Sequence, residues 1–307
     1  MPIEDVMRVF LRKPGFLLNR IDQIINALYG MQPGAGETLA QAELLLAIEA
    51  GGESDQVGLA RACGIDTSTT AIILDNLEMT GLITRVQDRR DRRRSLPVLT
   101  GKGQARMADV RGAFASLQED LLSGLDAGER AGLVDLLGRV ARADDRNAPR
   151  WDIASSPFAQ APSVLFRRAL QISHAHFTAC VAPLVVTLRQ FSALVILHLH
   201  PGLSQVEFAR IYGLDPSTCA IVLKKAAARG LLEAVRSPDD RRKTLYTTTA
   251  LGREQAAIIQ PEADRSERLA LGMLTPADYD RLLAMLQAVV RRHSPRLRYP
   301  GCLPMDE

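Results

Sequence analysis

Residues 56–74 read QVGLARACGIDTSTTAIIL, and residues 205–223 read QVEFARIYGLDPSTCAIVL. The two stretches align without a gap at an offset of 149 residues. In each, a short segment with helical periodicity ends at a glycine that suits a left-handed cap, and a second segment begins after an aspartate, a favoured N-cap residue. Pro216 also stands where the first turn of a helix tolerates proline. The pattern predicts two helices joined by a tight turn, twice in one chain.

The repeat extends over most of the 307 residues. The apolar stripe at 133–140 recurs at 282–289, and the offset becomes 148 in the opening helix. Two copies are too few for a solenoid, so tandem domains, or a dimer fused into one chain, are the natural interpretations. We expect a first domain at residues 1–143 and a second at 163–307. The segment 144–162 between them is rich in Pro, Ser and charge, and we expect it to be a linker that spans its distance as a coil.

Two apolar segments after each helix pair flank a basic turn. Residues 88–94, DRRDRRR, contain five arginines and two aspartates, and residues 239–243, DDRRK, stand at the corresponding place. A charge run is usually a solvated face, but its recurrence in both copies favours a functional turn. The flanking segments are expected to be strands. The sequence therefore predicts a mainly α fold with small β-hairpin wings, in which two tandem winged helix-turn-helix domains share a helical, dimerisation-like region.

Such a domain binds DNA by placing the second helix of the motif in the major groove, with its N-terminal residues nearest the bases. Small hydroxyl side chains there can bond to bases or phosphates, although helix capping is the alternative for Ser68 and Ser217. Arginines at a hairpin tip can reach phosphates or a narrow minor groove. We expect Asp91 and Asp240 to hold neighbouring guanidinium groups and aim them; a weak surface ion pair is the alternative. The candidate DNA-binding residues are Thr67, Ser68, Thr69, Thr70, Arg89, Arg90, Asp91, Arg92, Arg93, Arg94, Ser217, Thr218, Lys224, Lys225, Asp240, Arg241, Arg242 and Lys243.

Several motifs resemble those of the MarR-type (multiple antibiotic resistance regulator) transcription factors. They are QVEFARIYGLDPST, RGLLEAVRSPDDRR, the LTGKG and TTALG segments after the wings, and LTPADYDRLL. The resemblance covers almost the whole chain, twice. It implies a repressor that binds a double-stranded DNA operator as a two-fold dimer and leaves it when a small molecule, often an aromatic acid or phenol, binds. Because both subunits are in one polypeptide here, we expect a single chain to act as an intramolecular pseudo-dimer on an imperfect palindrome.

The resemblance also implies an effector pocket near the opening helices. Its candidate residues are Arg20, Gln23, Arg168, Gln171 and His174. An interhelical salt bridge explains the arginines equally well, and an interfacial histidine with satisfied hydrogen bonds explains His174. His174 and His176 are two residues apart, so a helix points them to different faces, and we expect no metal and no cofactor. Cys180 is the basis of an alternative, a thiol-redox-responsive regulator, but it lacks an evident resolving partner.

Composition and charge narrow the classes of function. The formal net charge of +3 is mild, and the four cysteines form no CxxC pair. With no apolar run of membrane-spanning length, these features are typical of a cytoplasmic protein with reduced thiols. The sequence has no Gly-rich strand-to-helix loop for a nucleotide, so we expect no enzyme. A further alternative is a protein-interaction module that has lost DNA binding. The Asp-Arg-Arg turn, which is present in both copies, argues against it.

Overall fold

The computed structural model of the chain describes residues 3–51, 54–88, 91, 93–143, 148–240 and 242–302. The first half contains α1 (Ile3–Leu11), α2 (Pro14–Gly30), α3 (Leu39–Gly51), α4 (Gln56–Cys63), α5 (Thr67–Met79), β1 (Ile83–Gln87), β2 (Ser95–Leu99), α6 (Gly101–Leu121) and α7 (Ala127–Ala141). The second half contains α8 (Pro162–Val181), α9 (Leu188–Leu199), β3 (Leu203–Ser204), α10 (Gln205–Tyr212), α11 (Pro216–Ala228), β4 (Leu232–Arg236), β5 (Thr244–Thr248), α12 (Ala250–Ala270) and α13 (Pro276–His293). Within the described ranges no single helix is long and apolar enough to cross a membrane, whereas the bent pair Pro162–Leu184 and Leu188–Leu199 meets that test together.

The repeat in the sequence is also present in the secondary structure. Helices α4, α5 and α6 and both strands of the first hairpin begin and end 149 residues before α10, α11, α12 and the strands β4 and β5. The strand register repeats as well, because Ile83 pairs with Leu99 and Leu232 pairs with Thr248. A mainly helical fold with two small antiparallel hairpins is therefore confirmed, including its tandem arrangement.

Each hairpin is joined to the next helix by a Thr-x-x-Gly segment. The hydroxyl oxygen of Thr100 accepts a hydrogen bond of 3.1 Å from the backbone N–H of Gly103 and so caps α6. A Cβ atom at Gly103 would lie 2.0 Å from the carbonyl oxygen of Leu82. Thr249 and Gly252 repeat this arrangement at the start of α12. Glycine is required at both positions because only a residue without a side chain permits this approach of helix to hairpin.

The chain divides into two compact units. Unit 1 comprises residues 1–20 and 173–307, and unit 2 comprises residues 21–172. Helix α2 therefore begins in unit 1 and ends in unit 2, and α8 begins in unit 2 and ends in unit 1. Each unit holds the winged domain of one copy together with helical residues that belong to the other copy. The boundaries at 143 and 163 stay predictions for the repeat itself.

Each unit has an apolar core of fully buried side chains. In unit 2 they include Ile24, Leu45, Leu59, Leu117 and Leu137. In unit 1 they include Leu17, Leu197, Phe208, Leu223 and Leu286. Each such side chain contributes about 1.5–3 kcal/mol when it is fully buried, so these cores fix the framework that positions the two helix-turn-helix motifs.

The described part of the expected linker, residues 148–162, lies against the winged domain of unit 2. The indole N–H of Trp151 donates to the carbonyl oxygen of Ala62 at 3.1 Å, and the hydroxyl of Ser156 donates to the same oxygen at 2.6 Å. Phe158 packs on Phe114 with 5.6 Å between ring centroids. These residues are anchored by hydrogen bonds and apolar contact, which differs from the expected coil.

Candidate nucleic-acid interface and internal cavity

Each unit carries a helix-turn-helix whose turn is fixed in the same way. In unit 2, α4 ends at Gly64, which has a φ of +63°, and Asp66 caps α5. Gln56 at the start of α4 donates from Nε2 to the carbonyl oxygen of Thr67 at 3.1 Å and ties the two helices together. The residues 149 positions later repeat these contacts in unit 1, where the corresponding glutamine bond is 2.9 Å long. The left-handed glycine and the aspartate cap match the sequence pattern.

The N-terminal residues of α5 are ordered around the capping carboxylate. Ser68 donates its hydroxyl to Asp66, and the backbone N–H of Thr69 donates to the same carboxylate at 2.8 Å. These hydrogen bonds, first that of Ser68 and then those of Thr69, lower the pKa of Asp66 to about 2. The capping aspartate of α11 has equivalent partners, and its pKa is also lowered to about 2. The helix caps are thus Asp66 and Asp215, and the two serines donate to these carboxylates without capping the helices themselves.

The candidate DNA-binding residues on α5 and α11 differ in how far their side chains are exposed to solvent. Residues 67–69 and Ser217 are exposed, and Thr218 is partly exposed. Thr70 is fully buried, and its hydroxyl donates to the carbonyl oxygen of Asp66 at 2.9 Å. A DNA contact by Thr70 does not fit this position, because its side chain belongs to the core and its hydrogen bond is already made.

An aspartate folds the tip of each wing. The carboxylate of Asp91 accepts the backbone N–H of Arg93 at 2.9 Å, and that of Asp240 accepts the backbone N–H of Arg242 at 3.0 Å. Such contacts to the backbone two residues on are typical of Asx turns. They differ from the expected pairing with guanidinium groups, since in the described residues the carboxylate shapes the turn. Four candidate arginines, Arg89, Arg90, Arg92 and Arg241, lie outside the residues that the structure describes.

Acidic residues engage two of the described arginines of the wing in unit 2. Arg85 on β1 bridges Asp75 and Glu78 of α5, with 2.5 Å between Nη2 and Oδ1 of Asp75. Nε of Arg94 lies 2.9 Å from Oδ2 of Asp55, the N-cap of α4. Such surface pairs contribute only about 0–1 kcal/mol each to stability, but they direct these two cations onto α4 and α5. In this conformation Arg94 links the wing to the helix-turn-helix.

The corresponding surface of the helix-turn-helix in unit 1 lacks these acidic residues and carries lysines. The three acids Asp55, Asp75 and Glu78 of unit 2 are replaced in unit 1 by Ser204, Lys224 and Ala227. Lys225 follows on α11, and both lysine side chains are exposed. Lys243, the counterpart of Arg94, is exposed as well. Lys224 and Lys225 therefore lie on a helix without the two acids of α5, while Lys243 interacts with Glu207 of α10. Exposed cations of this kind are the charge that a phosphate backbone attracts.

A small cavity lies inside unit 1, with a volume of about 60 Å³. This is room for several water molecules. Five aromatic side chains line it: Phe10, Phe16, Phe177, Phe191 and Tyr212. The lining also includes Lys13, Asn19 and Glu267. A mostly apolar cavity with a few polar groups is the usual form of a small-molecule site.

The charged groups at this cavity form a cluster. Nζ of Lys13 lies 2.5 Å from Oδ1 of Asp264 and 3.6 Å from Oε2 of Glu267. Burial raises the pKa of Glu267 to about 7, and the charge of Asp264 adds to this while that of Lys13 opposes it. Glu267 therefore changes its protonation state near neutral pH.

Arg20, an expected pocket residue, does not line this cavity. It is 2% exposed, and its guanidinium donates to the carbonyl oxygens of Gly213 at 2.6 Å and of Tyr299 at 2.8 Å. Burial lowers the pKa of Arg20 to about 10. Since Gly213 is the left-handed cap of α10, Arg20 attaches α2 to the helix-turn-helix of unit 1.

The other expected pocket residues also lie outside the cavity lining. Arg168 and Gln171 donate to backbone carbonyl oxygens of unit 2, at 2.6 and 2.8 Å. Gln23 is half-buried on α2. His174 lines a neighbouring cavity of about 520 Å³, and its Nε2 is 2.9 Å from the side-chain nitrogen of Asn19, which lines both cavities. Burial lowers the pKa of His174, and the charge of Arg189 adds to this.

Sequence reasoning missed Lys13 and Glu267. Lys13 lies at the break between α1 and α2, and Glu267 is one of many charged residues on α12. A signal was available in the repeat, because the corresponding positions in the other copy are Ala161 and Gln118. Two opposite charges that occur in only one of two copies mark a place where the copies have diverged.

Two cysteines have the environment of structural thiols. Cys63 and Cys219 are buried, and burial raises the pKa of Cys219 to about 12 and that of Cys63 further. A thiol with a raised pKa is a poor nucleophile at neutral pH. Cys180 is half-buried, and its role as a redox switch stays an untested alternative.

Paired helix-turn-helix motifs with wings define a winged-helix protein of the kind that binds DNA. The sequence matches the MarR family at residues 35–94 and again at residues 186–243. The HTH-type transcriptional repressor NicR of Pseudomonas putida is 27% identical over 126 residues, which cover 41% of this chain and 80% of the relative. The HTH-type transcriptional repressor Mb2911 of Mycobacterium bovis is 30% identical over 110 residues, which cover 36% and 79%. The chain belongs to the MarR family.

A solved structure is also similar in sequence. It is that of BpsR from Bordetella bronchiseptica, whose DNA binding is regulated by 6-hydroxynicotinic acid. The two chains are 30% identical; the match covers 42% of this chain and 93% of BpsR, with a TM-score of 0.40.

Proposed function

We propose that this protein is a ligand-responsive transcriptional repressor in which one polypeptide acts as a pseudo-dimer. The observation that carries the proposal is the presence of two helix-turn-helix motifs with wings in a single chain. Both curated relatives described above are transcriptional repressors. The exchange of helical residues between the copies supports intramolecular pairing, since each unit is built from both copies.

DNA binding would use the exposed N-termini of α5 and α11 and the two wing tips. Residues 67–69, Ser217 and Thr218 would approach the bases, while the wings reach phosphates or the minor groove. The cationic surface of unit 1, with Lys224, Lys225 and Lys243, would supply the larger share of the affinity. In unit 2 the ion pairs of Arg85 and Arg94 reduce that share.

Release from DNA would begin in the smaller, aromatic-lined cavity of unit 1. Phe16 and Asn19 line the cavity, and Arg20 follows directly on the same helix. A ligand larger than the space of about 60 Å³ would move this helix and, through Arg20, the turn at Gly213. A small aromatic effector would act by binding better to a conformation in which the recognition helices do not fit DNA.

An electrophoretic shift with the region upstream of the protein's own gene, at two salt concentrations, tests DNA binding. We expect a shift that weakens steeply with salt, because phosphate contacts release counterions. Arg92→Ala and Arg241→Ala should each flatten the salt dependence by about one unit for every phosphate that the arginine neutralises. Absence of any shift at low salt would favour the protein-interaction alternative, and unchanged affinity and slope in both variants would exclude these arginines from the interface.

A further inference from the structure

In unit 2, larger side chains take up part of the space that corresponds to the aromatic-lined cavity of unit 1. At the offset of the repeat, Ala263 and Ser266 of the cavity wall correspond to Phe114 and Leu117. Phe114 packs against Phe158, and Leu117 is fully buried. Two small residues in one copy are thus replaced by two large apolar ones that narrow the equivalent space.

Polar groups in this part of unit 2 are also engaged with each other. Arg167, the counterpart of Asn19, forms an ion pair with Glu43, whose side chain is fully buried. Gln118, the counterpart of Glu267, donates to the hydroxyl of Ser163 at 3.0 Å and accepts the backbone N–H of the same residue at 3.0 Å. These polar groups are therefore engaged by an internal ion pair and paired hydrogen bonds. Gln118 and Ala161 also line an open cleft of about 610 Å³, but among the described residues its lining includes no aromatic side chain, unlike that of the cavity in unit 1.

The charge at the cavity of unit 1 favours one sign of ligand. Lys13 is the cationic member of the lining in the described part of the chain, and Asp264 already lies 2.5 Å from its ammonium group. Glu267 is the second carboxyl group, and its contact with Lys13 is longer, at 3.6 Å. An anionic ligand would have to take Lys13 from Asp264 while facing Glu267. A cation would find Glu267 and a wall of aromatic side chains, which attract cations.

We propose that each chain has one effector site, the aromatic-lined cavity of unit 1 that contains Lys13 and Glu267, and that this site takes a small organic cation such as a benzylic ammonium ion or an amidinium ion. That the ligand acts as an effector rests on the proposed function, whereas its binding does not. The aromatic acid implied by the family resemblance does not fit the charges at this cavity. Burial raises the pKa of Glu267, and the hydrogen bonds from Lys13 and from the backbone of Gly15 offset only part of this effect, which leaves room for a further cation to stabilise the carboxylate.

Titration calorimetry and thermal shift with three probes of one shape test the inference: benzylammonium, benzyl alcohol and benzoate. At pH 8 we expect benzylammonium to bind one per chain, at least tenfold more tightly than either other probe. Its affinity should fall as the pH drops below about 7, because a proton then occupies Glu267. The charged and titratable groups around Glu267 are Lys13, Asp264 and Tyr279. The three probes are compared at the same pH, so a difference in affinity between them reflects the charge of the probe.

Two variants and a matched control locate the site. Glu267→Gln should lower the affinity for benzylammonium at least tenfold, and Ala263→Phe, which installs the residue found in unit 2, should abolish binding. Glu262→Gln, on the same helix but paired with the exposed Arg265, should bind like the unchanged protein. Two sites per chain, tighter binding of benzoate, or full binding by Glu267→Gln would each overturn the inference.

A parallel electrophoretic shift with the operator separates this inference from the proposed function. If benzylammonium binds one per chain but does not release DNA, the site inference stands and the release mechanism is wrong. If DNA is bound and none of the three probes binds at millimolar concentration, the site inference is overturned and DNA binding stands.

Discussion

The guanidinium of Arg20 donates a hydrogen bond of 2.6 Å to the carbonyl oxygen of Gly213, the left-handed residue between α10 and α11. A Cβ atom on Gly213 would lie 2.6 Å from Nη1 of Arg20, so the glycine is needed for the close approach as well as for the turn. Phe16, one turn earlier on α2, lines the cavity. One helical turn therefore joins the cavity to the helix-turn-helix of unit 1.

Removing this link should weaken both the fold and the DNA complex. Arg20→Met leaves buried carbonyl oxygens without their donor, which costs about 1–3 kcal/mol for each group left unsatisfied. We expect a lower melting temperature and weaker operator binding. Arg12→Met, at an exposed position nearby, is the matched control and should leave both quantities unchanged. Equal melting temperatures for the two variants would show that the bonds of Arg20 contribute nothing.

The two recognition helices should differ in their electrostatic contribution. Exchanging Lys224 and Lys225 for Asp and Asn should weaken operator binding and reduce the salt slope by about two units, if each lysine meets one phosphate. The paired change Asp75→Ala with Asn76→Ala should have a smaller effect, because Asp75 is engaged with Arg85. Affinities at several salt concentrations provide the comparison. An equal loss in the two double variants would mean that the charge difference between α5 and α11 has no role at DNA.

The wing tip allows a test of what its carboxylate does. An asparagine can accept the backbone N–H of Arg93 as Asp91 does, but it carries no negative charge. Asp91→Asn should therefore bind DNA as well as the unchanged protein or better, whereas Asp91→Ala should bind more weakly because the turn is lost. Weaker binding by Asp91→Asn would instead support a bidentate pair with an arginine. Asp240→Asn and Asp240→Ala offer the same comparison in the second wing.

The sequence predicts the repeated fold well because its signals are local. Gly64 and Asp66 fix the turn between two helices within a few positions, and Gly103 permits the contact of α6 with the hairpin that directly precedes it in the chain. The cavity depends on side chains far apart in the chain, as in the contact of Lys13 with Asp264. No periodic pattern shows which residues meet there, and Arg20 looks equally suited to a ligand or to a carbonyl oxygen until its neighbours are known.

The stability of the protein should depend on pH through Glu267. In the folded state its pKa is raised to about 7, so between the ordinary pKa of a glutamate, about 4.3, and 7 the folded state holds a proton that the unfolded state has lost. The free energy of unfolding should therefore fall as the pH rises through this window, by up to about 1.4 kcal/mol per pH unit. Glu267→Gln should remove this dependence, which melting temperatures between pH 5 and 7.5 would show. Parallel curves for the two proteins would contradict the prediction.

A single chain should form the complete complex with one operator. Because the two winged domains are covalently joined, the second is held at a high effective concentration once the first has bound, and affinity should not depend on dimer formation. Half-sites should lie about one helical turn apart, as two-fold dimers of this kind require. They should form an imperfect palindrome, because Asp75 and Asn76 in one copy correspond to Lys224 and Lys225 in the other.

Light scattering on the complex with a minimal operator measures the number of chains, and a nuclease footprint measures its span. We expect one chain and a footprint over two adjacent major grooves. A symmetrised operator made from the half-site that unit 1 prefers should bind more tightly than one made from the other half-site, since α11 carries the lysines. Two chains on one minimal operator would show that the copies pair between polypeptides, and that the exchange of helices within the chain does not build the DNA-binding unit.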